Sequence, residues 1–275
     1  MGQSLRQSCK IQSSGDRETE LYMDLSELPG EVLHLILRHL PASVLLRNCQ
    51  YVCKRWHCII DSQAFWKFKA EEENKHLQIV KKCVPANMDW KKLCLKEPFH
   101  KNLIQNPFGK EGFKGWDILN GGDGWSIRTF PPEDLAGVCS TFVSSYFWCK
   151  KSQTINLLEE GLWEDLLDNY QPEICIQDWY SSHRDCGGEY LMKVKLLAAD
   201  KRTVLQKYNS GLKTIPIQPL QCWEKVAHVF RNYGPGVRYV KFKHAAKDIL
   251  FWKGHFGTWV TKTSITVRLK DPAQK

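Results

Sequence analysis

The stretch Glu189-Tyr190-Leu191-Met192-Lys193-Val194-Lys195-Leu196-Leu197-Ala198 decides the fold. Tyr190, Met192, Val194, Leu196 and Ala198 stand on one parity; Lys193 and Lys195 stand on the other. A period of two sends one row of side chains into a core and the other into water, which marks a half-buried strand of an antiparallel sheet. The same alternation closes the chain, with Trp259, Ile265, Val267 and Leu269 on one parity and Lys262, Ser264, Arg268 and Lys270 on the other. After Asn106-Pro107, turn clusters recur at Gly121-Gly122-Asp123-Gly124, Pro131-Pro132, Gly187-Gly188, Asn209-Ser210-Gly211 and Gly234-Pro235-Gly236. Short alternating strands divided by such turns predict an antiparallel β-sandwich over residues 101–270. One helix-like insertion, Leu157–Leu167, interrupts the series.

Upstream the texture is different. Residues 1–20 are polar and read as a disordered tail. From Asp24 onward Leu28, Val32, Leu33, Ile36, Leu37 and Leu40 fall at helical spacing. Pro29 sits where a first-turn proline is tolerated, and Pro41 stops the helix. Val44–Ile60 is a second helical stretch, broken near Val52–Lys54, and Asp61-Ser62 can cap a third helix with Phe65, Trp66 and Phe68. Residues 24–70 thus form a block of small helices, too short to bury a large core. Residues 71–100 are charged, carry Pro85 and Pro98, and read as a packed helical linker. The predicted class is α+β multidomain: a small helical module, a linker and an antiparallel β-sandwich.

Composition narrows the function. With 43% hydrophobic and 25% charged residues, the 275-residue chain cannot be mostly disordered. No apolar run reaches the roughly 18 residues of a membrane span, and Met1–Thr19 lacks the apolar core of a signal peptide. Eleven cysteines without a CxxC pair fit a chain whose thiols are reduced, in the cytoplasm or the nucleus. The net charge of +9 invites a nucleic-acid reading. Its location argues otherwise. Residues 225–275 hold eleven Lys/Arg against two Asp/Glu, whereas the first 224 hold 28 of each sign. The excess lies in the final strands and the loop holding Phe251, Trp252 and Lys253, a basic, aromatic end of one sandwich that either favours acidic partner surfaces or solvates exposed strand faces.

Catalytic and metal constellations are weak. Cys49, Cys53, Cys58 and His57 lack a zinc spacing. Asp178 with Glu189, and Asp165 with Asp168, read as solvated or turn carboxylates, not a glycosidase pair. His228, His244 and His255 with Ser264 match no triad order. Gly121–Gly124 lacks the Lys-Ser/Thr of a phosphate loop and reads as a turn. No cofactor, metal or catalytic residue is implied.

The helical block carries Leu25-Ser26-Glu27-Leu28-Pro29-Gly30-Glu31-Val32-Leu33, then Ile36-Leu37-Arg38-His39-Leu40-Pro41, then Val52-Cys53-Lys54-Arg55-Trp56. Together these resemble an F-box. The second block carries Lys101-Asn102-Leu103-Ile104-Gln105-Asn106-Pro107, Gly121-Gly122-Asp123-Gly124-Trp125, Gln177-Asp178-Trp179-Tyr180-Ser181, Tyr233-Gly234-Pro235-Gly236-Val237-Arg238 and Phe251-Trp252-Lys253-Gly254. In order and span it is similar to the F-box-associated domain of the sugar-recognising F-box proteins.

The resemblance implies a non-catalytic substrate-recognition subunit of a cullin–RING ubiquitin ligase. Leu28, Pro29, Val32, Leu33, Ile36, Leu37, Leu40 and Trp56 would then bind a Skp-type adaptor. It also implies a misfolded glycoprotein client, recognised through the core of a high-mannose N-glycan; the other reading keeps the ligase architecture with a non-glycan client. Carried over by position, Phe251, Trp252, Lys253, Asp185 and Tyr146 are the implied glycan contacts. A GlcNAc ring stacks on an aromatic face, a carboxylate accepts from sugar hydroxyls, and a lysine donates to an acetamide oxygen. The chain departs from the family pattern at Phe251, where the family has Tyr, and at His255, where the glycan binders have Trp.

Overall fold

A computed structural model describes residues 7–8, 22–23, 25–99, 101–129, 140–217 and 222–269. The chain falls into two compact units, Met1–Lys81 with Ala86–Lys96, and Lys82–Pro85 with Glu97–Lys275. The segment expected as a linker is therefore shared out between the two. Of the expected tail, Gln7–Ser8 (β1) pairs antiparallel with Tyr22–Met23 (β2), and the rest lies outside the described residues.

The first unit contains α1 (Gly30–Arg38), α2 (Ala42–Arg47), α3 (Lys54–Asp61), α4 (Gln63–Glu73) and α5 (Trp90–Lys96). Pro29 and Pro41 stand at the positions preceding α1 and α2. There their missing N–H costs nothing, as the sequence suggests. Ser62 precedes α4 but makes no side-chain cap bond, contrary to expectation. Leu33, Leu37, Leu45, Ile60, Phe65 and Trp66 form the core.

Lys69 shares that core, only 1% exposed. Its ammonium donates to the carbonyls of Arg38 and Leu40, each at 2.7 Å, and to Glu73 Oε1 at 2.6 Å. The α1 C-terminus leaves carbonyls with no partner inside the helix. Lys69 supplies those partners from α4, where a cation also suits the helix dipole.

The second unit is a two-sheet sandwich of β3 (Asp117–Leu119), β4 (Ser126–Thr129), β5 (Ser140–Val143), β6 (Cys149–Asn156), β7 (Glu173–Ser182), β8 (Gly188–Leu197), β9 (Val204–Asn209), β10 (Lys213–Ile215), β11 (Glu224–Phe230), β12 (Tyr239–Lys247) and β13 (Thr258–Arg268). One sheet runs β11-β7-β13-β5-β4; the other runs β10-β8-β12-β6-β3, with β9 also on β8. The inward row of β8 is apolar, as the alternation predicts. Helical turns are present at Glu164–Tyr170, the C-terminal part of the expected insertion and a little beyond it.

One parity is corrected. In β13 the register against β7 shifts between Thr261 and Ser264, and Lys262 has a left-handed φ of 51°. A bulge inserts one residue and exchanges the faces beyond it. Ile265 and Val267 face the core, whereas Trp259 lies on the opposite face from buried Thr258 and Val260. Asn102 sits beside the bulge, accepting from the Ile265 amide at 3.1 Å and donating to the Thr263 carbonyl at 3.0 Å.

A second correction concerns Asp178, expected in water. It is wholly buried on β7, facing the other sheet. Tyr190 of β8 donates to Oδ2 at 2.5 Å, Thr263 of β13 donates to Oδ1 at 2.8 Å, and His244 Nδ1 of β12 lies 2.5 Å from Oδ2. Lys151 of β6 is buried nearby, its ammonium 3.4 Å from the Trp116 ring centre and 3.6 Å from that of Phe142. Trp116 also stacks flat on His244, 4° from parallel. A buried carboxylate is tolerated only when its lone pairs are met by donors, and here both sheets supply them. Burial drives the Lys151 ammonium well below the usual lysine range, opposed by the Asp178 charge.

Burial, then the Lys151 charge, pushes His244 down to about 4 from 6.5, against the pull of Asp178. Between these values the unfolded chain takes up a proton that the folded chain refuses. This contribution is whole above pH 6.5 and is lost as pH falls towards 4. It amounts to roughly 3 kcal/mol. Urea titrations at pH 7.0 and pH 4.5 should show a smaller acid loss in His244→Gln than in the parent; equal losses would contradict the assignment.

Candidate functional site

Three loops meet at one end of the sandwich: β5–β6 (residues 144–148), β7–β8 (183–187) and β12–β13 (248–257). Backbone bonds tie them together. The Ser144 amide donates to the Thr258 carbonyl at 3.0 Å, Asp248 to Ser145 at 3.1 Å, and Gly257 to Ser144 at 3.1 Å. The Ser145 hydroxyl donates to the Gly254 carbonyl at 2.7 Å and accepts from the Asp123 amide at 3.0 Å. Gly187 takes a φ of 64°, and a side chain there would meet the Ile215 carbonyl at 2.8 Å, so glycine is needed.

Within this frame the β12–β13 loop carries Phe251, Trp252 and Lys253, all exposed. Phe251 adopts a φ of 59°, an unusual conformation for a bulky side chain. Asp248 explains it. Its buried carboxylate accepts from the Phe251 amide at 2.7 Å and the Trp252 amide at 3.0 Å. These bonds turn the chain outward, leaving Phe251 58% and Trp252 46% exposed. Cys186 lies against the same carboxylate; burial, and then the Asp248 charge, pushes its thiol up to about 11.

Rings link the loops. Tyr146 packs on Phe147 at 5.0 Å, and Phe147 meets Phe251 edge-on at 6.1 Å. Trp252 meets Phe256 at 6.1 Å, and Phe256 meets His183 at 5.7 Å. Two residues beyond His183, Asp185 is exposed, with Arg184 Nε at 3.8 Å and His183 Nδ1 at 3.7 Å. The five residues carried over as glycan contacts, Tyr146, Asp185, Phe251, Trp252 and Lys253, therefore belong to one cluster of loops. Phe147, Phe256 and Asp248 were not legible. Phe147 and Phe256 lie in no alternating segment, and Asp248 reads as a loop carboxylate. His255 places Nε2 3.3 Å from the Asp123 carbonyl, and its own carbonyl accepts from Arg128 at 3.1 Å.

In the helical unit the expected adaptor residues divide. Leu33, Leu37 and Trp56 are buried and belong to the core, out of a partner's reach. Val32 and Ile36 are exposed, as is Pro29; Leu28 and Leu40 are half-buried. Arg55 donates to the Leu28 carbonyl at 2.6 Å, holding the segment that leads into α1. Further apolar residues are exposed, among them Val44, Tyr51 and Val52, and, on α1 and α4, Leu35 and Phe68. With Gly30, Glu31, His34 and Arg38, Leu35 and Phe68 line a groove of about 510 Å³.

Other carboxylates are structural. Asp168 grips Arg238 with two parallel bonds of 2.8 Å and accepts from the Gly236 amide at 2.8 Å. The Arg238 hydrogen bond holds its carboxyl below the usual range. No group of three metal-ligating side chains occurs among the described residues, and no described helix is long and apolar enough to cross a membrane.

The chain thus combines a small helical module with a sandwich that ends in an exposed aromatic loop cluster. Residues 25–70 match the F-box-like family and residues 94–267 match the F-box associated region. Human F-box only protein 17 is 36% identical over 264 residues, covering 90% of this chain and 93% of that protein. Bovine F-box only protein 2 is 38% identical over 258 residues, covering 88% and 84%. Mouse F-box only protein 27 is 36% identical over 263 residues, covering 90% and 92%. The chain belongs to the family of F-box proteins that carry an F-box associated region.

The Asp248 bonds give a test of loop order. In Asp248→Ala the amides of Phe251 and Trp252 lose their acceptors, at about 1–3 kcal/mol for buried groups. Their hydrogen exchange should accelerate at least tenfold while β12 and β13 stay protected. Unchanged exchange would show that the loop is held by other contacts.

Proposed function

We propose that the chain is the client-recognition subunit of a cytoplasmic SCF-type cullin–RING ubiquitin ligase. On this reading residues 24–70 dock on a Skp-type adaptor, and residues 101–270 present the client. The exposed face of α1 fits the first task. Val32, Leu35 and Ile36, with Phe68 of α4, leave apolar surface uncovered on a unit too small to bury it. Ubiquitin transfer belongs to partner subunits, so the chain needs no nucleophile.

The client read by the loop cluster is the core of a high-mannose N-glycan on a misfolded glycoprotein. The observation that carries this is the outward turn of Phe251 and Trp252, fixed by Asp248. A rigid exposed ring offers stacking area to the apolar face of GlcNAc at little entropic cost. Lys253 and Asp185 supply a donor and an acceptor for the sugar's polar rim. Recognition without hydrolysis requires no acid–base pair.

A second reading, a non-glycan protein client on the same architecture, draws on two departures. Phe251 lacks a hydroxyl, and His255 places an imidazole where the glycan binders have Trp. Four exposed or half-exposed aromatic side chains, Tyr146, Phe147, Phe251 and Trp252, would equally suit an apolar peptide.

Two measurements separate these proposals. Co-purification with a Skp-type adaptor should be abolished in Ile36→Asp, with helical circular dichroism retained; persistence of the complex would refute the docking face. Chitobiose titration should show binding that weakens about tenfold or more in Trp252→Ala. No binding by the parent chain would favour the protein client, and binding unchanged in that variant would place the sugar elsewhere.

A further inference from the structure

His183 opens the β7–β8 loop and touches both halves of the loop cluster. Its carbonyl accepts from the Cys186 and Gly187 amides, each at 3.1 Å, so the turn that follows is closed on it. Its half-buried ring meets Phe256 of the β12–β13 loop edge-on, at 5.7 Å and 87°. Phe256 in turn meets Trp252 at 6.1 Å and 83°. On its other side, Nδ1 accepts from the Asp185 amide at 3.4 Å and lies 3.7 Å from the carboxylate oxygen Oδ2 of the same residue. One imidazole therefore bears on the carboxylate arm directly and on the aromatic arm through Phe256.

The two Nδ1 distances define two arrangements. A ring nitrogen that accepts from an amide carries no proton, so the bond to the Asp185 amide requires the neutral ring with its proton on Nε2. The protonated ring has two donors and no acceptor. Nδ1–H then gives up the amide and turns to Oδ2, closing about 1 Å to reach a charge-assisted bond length. The charged groups beside the ring are few. On its own loop they are Asp185 and Arg184, whose Nε lies 3.8 Å from Oδ2. From the β12–β13 loop the ring meets Phe256, which is uncharged. The ionisable side chains of that loop are Asp248, whose oxygens accept from the Phe251 and Trp252 amides, Lys253 and His255.

We propose that His183 is a positioning residue of the client site and makes its affinity depend on pH. The neutral ring leaves the Asp185 carboxylate free to accept from a sugar hydroxyl; the protonated ring claims that carboxylate for itself. The inference rests on the glycan reading of the loop cluster. The bound state favours the neutral ring, so affinity is full above the range in which an imidazole titrates and falls as pH drops through it, roughly pH 8 to 5. His244, held down to about 4, and the Cys186 thiol, pushed up to about 11, change charge outside that window.

The test has two arms, both on the full chain. In the first, without sugar, NMR follows the Asp185 amide and the Trp252 indole from pH 8.0 to 5.5. Both should move together with the His183 ring. His183→Gln keeps an oxygen that can accept a hydrogen bond but does not titrate, and should leave the Asp185 amide still. In the second arm chitobiose is titrated at pH 8.0 and pH 5.5, with circular dichroism unchanged between them. The parent should bind at least fivefold more weakly at pH 5.5, His183→Gln should bind equally at both, and His255→Gln should keep the parent's dependence. A purely structural His183 would instead lower affinity by one factor at both pH values and preserve the parent's slope. That outcome, or an Asp185 amide indifferent to the His183 ring, would overturn the proposal while chitobiose binding stands. No chitobiose binding at pH 8.0 would overturn the glycan reading itself, and this inference with it.

Discussion

A carboxylate taken out of water between two sheets must be met by donors from both, and Asp178 imposes that condition on the sandwich. Tyr190 and His244 reach it from one sheet, Thr263 from its own. Removing one of these donors leaves a buried acceptor unmet, at a cost of about 1–3 kcal/mol. The donors come from β8, β12 and β13, so their mutual register is fixed around a single group. That register in turn fixes where the loops β7–β8 and β12–β13 leave the sheets.

The loop end repeats the device at smaller scale. Asp248 is buried just beyond β12 and spends its oxygens on two loop amides. The result is a left-handed Phe251 and a Trp252 held outward, a preorganised aromatic surface instead of a collapsed one. Lys69 is a third case, a buried cation that satisfies the end of α1. In each case a charge buried in one element finishes the unmet polar groups of another.

The strand pattern was legible because period-two alternation is a direct image of a half-buried sheet; β8 follows it from Gly188 to Leu196. The helical module was legible from Leu33 and Leu37 at helical spacing, but spacing does not say which apolar residue faces a partner. Leu33, Leu37 and Trp56 turned out to be core, while Leu35, which the spacing set aside, and Phe68 of α4 are outside. The bulge at Lys262 defeated the parity of Trp259, since one inserted residue leaves no compositional trace. Asp178, Lys69 and Lys151 were illegible for a common reason: a charged residue type predicts water, and only the partners brought by tertiary structure make burial possible. The basic excess of the last fifty-one residues was read as favouring acidic surfaces at the loop end or as solvating exposed strand faces, and Lys241 and Lys243 of β12 fit the second reading. The fold sets Lys150, Lys193 and Lys195 beside Lys241 and Lys243, on a sheet face and not only at the loop end.

The central claim is that the exposed rings of the loop end, held out by Asp248, are the client-binding surface. A crystal structure of the chain soaked with chitobiose tests it most directly. The account predicts a GlcNAc ring against the Trp252 face with polar contacts to Lys253 and Asp185. A sugar seated elsewhere on the sandwich, with Trp252 and Phe251 untouched, would contradict it.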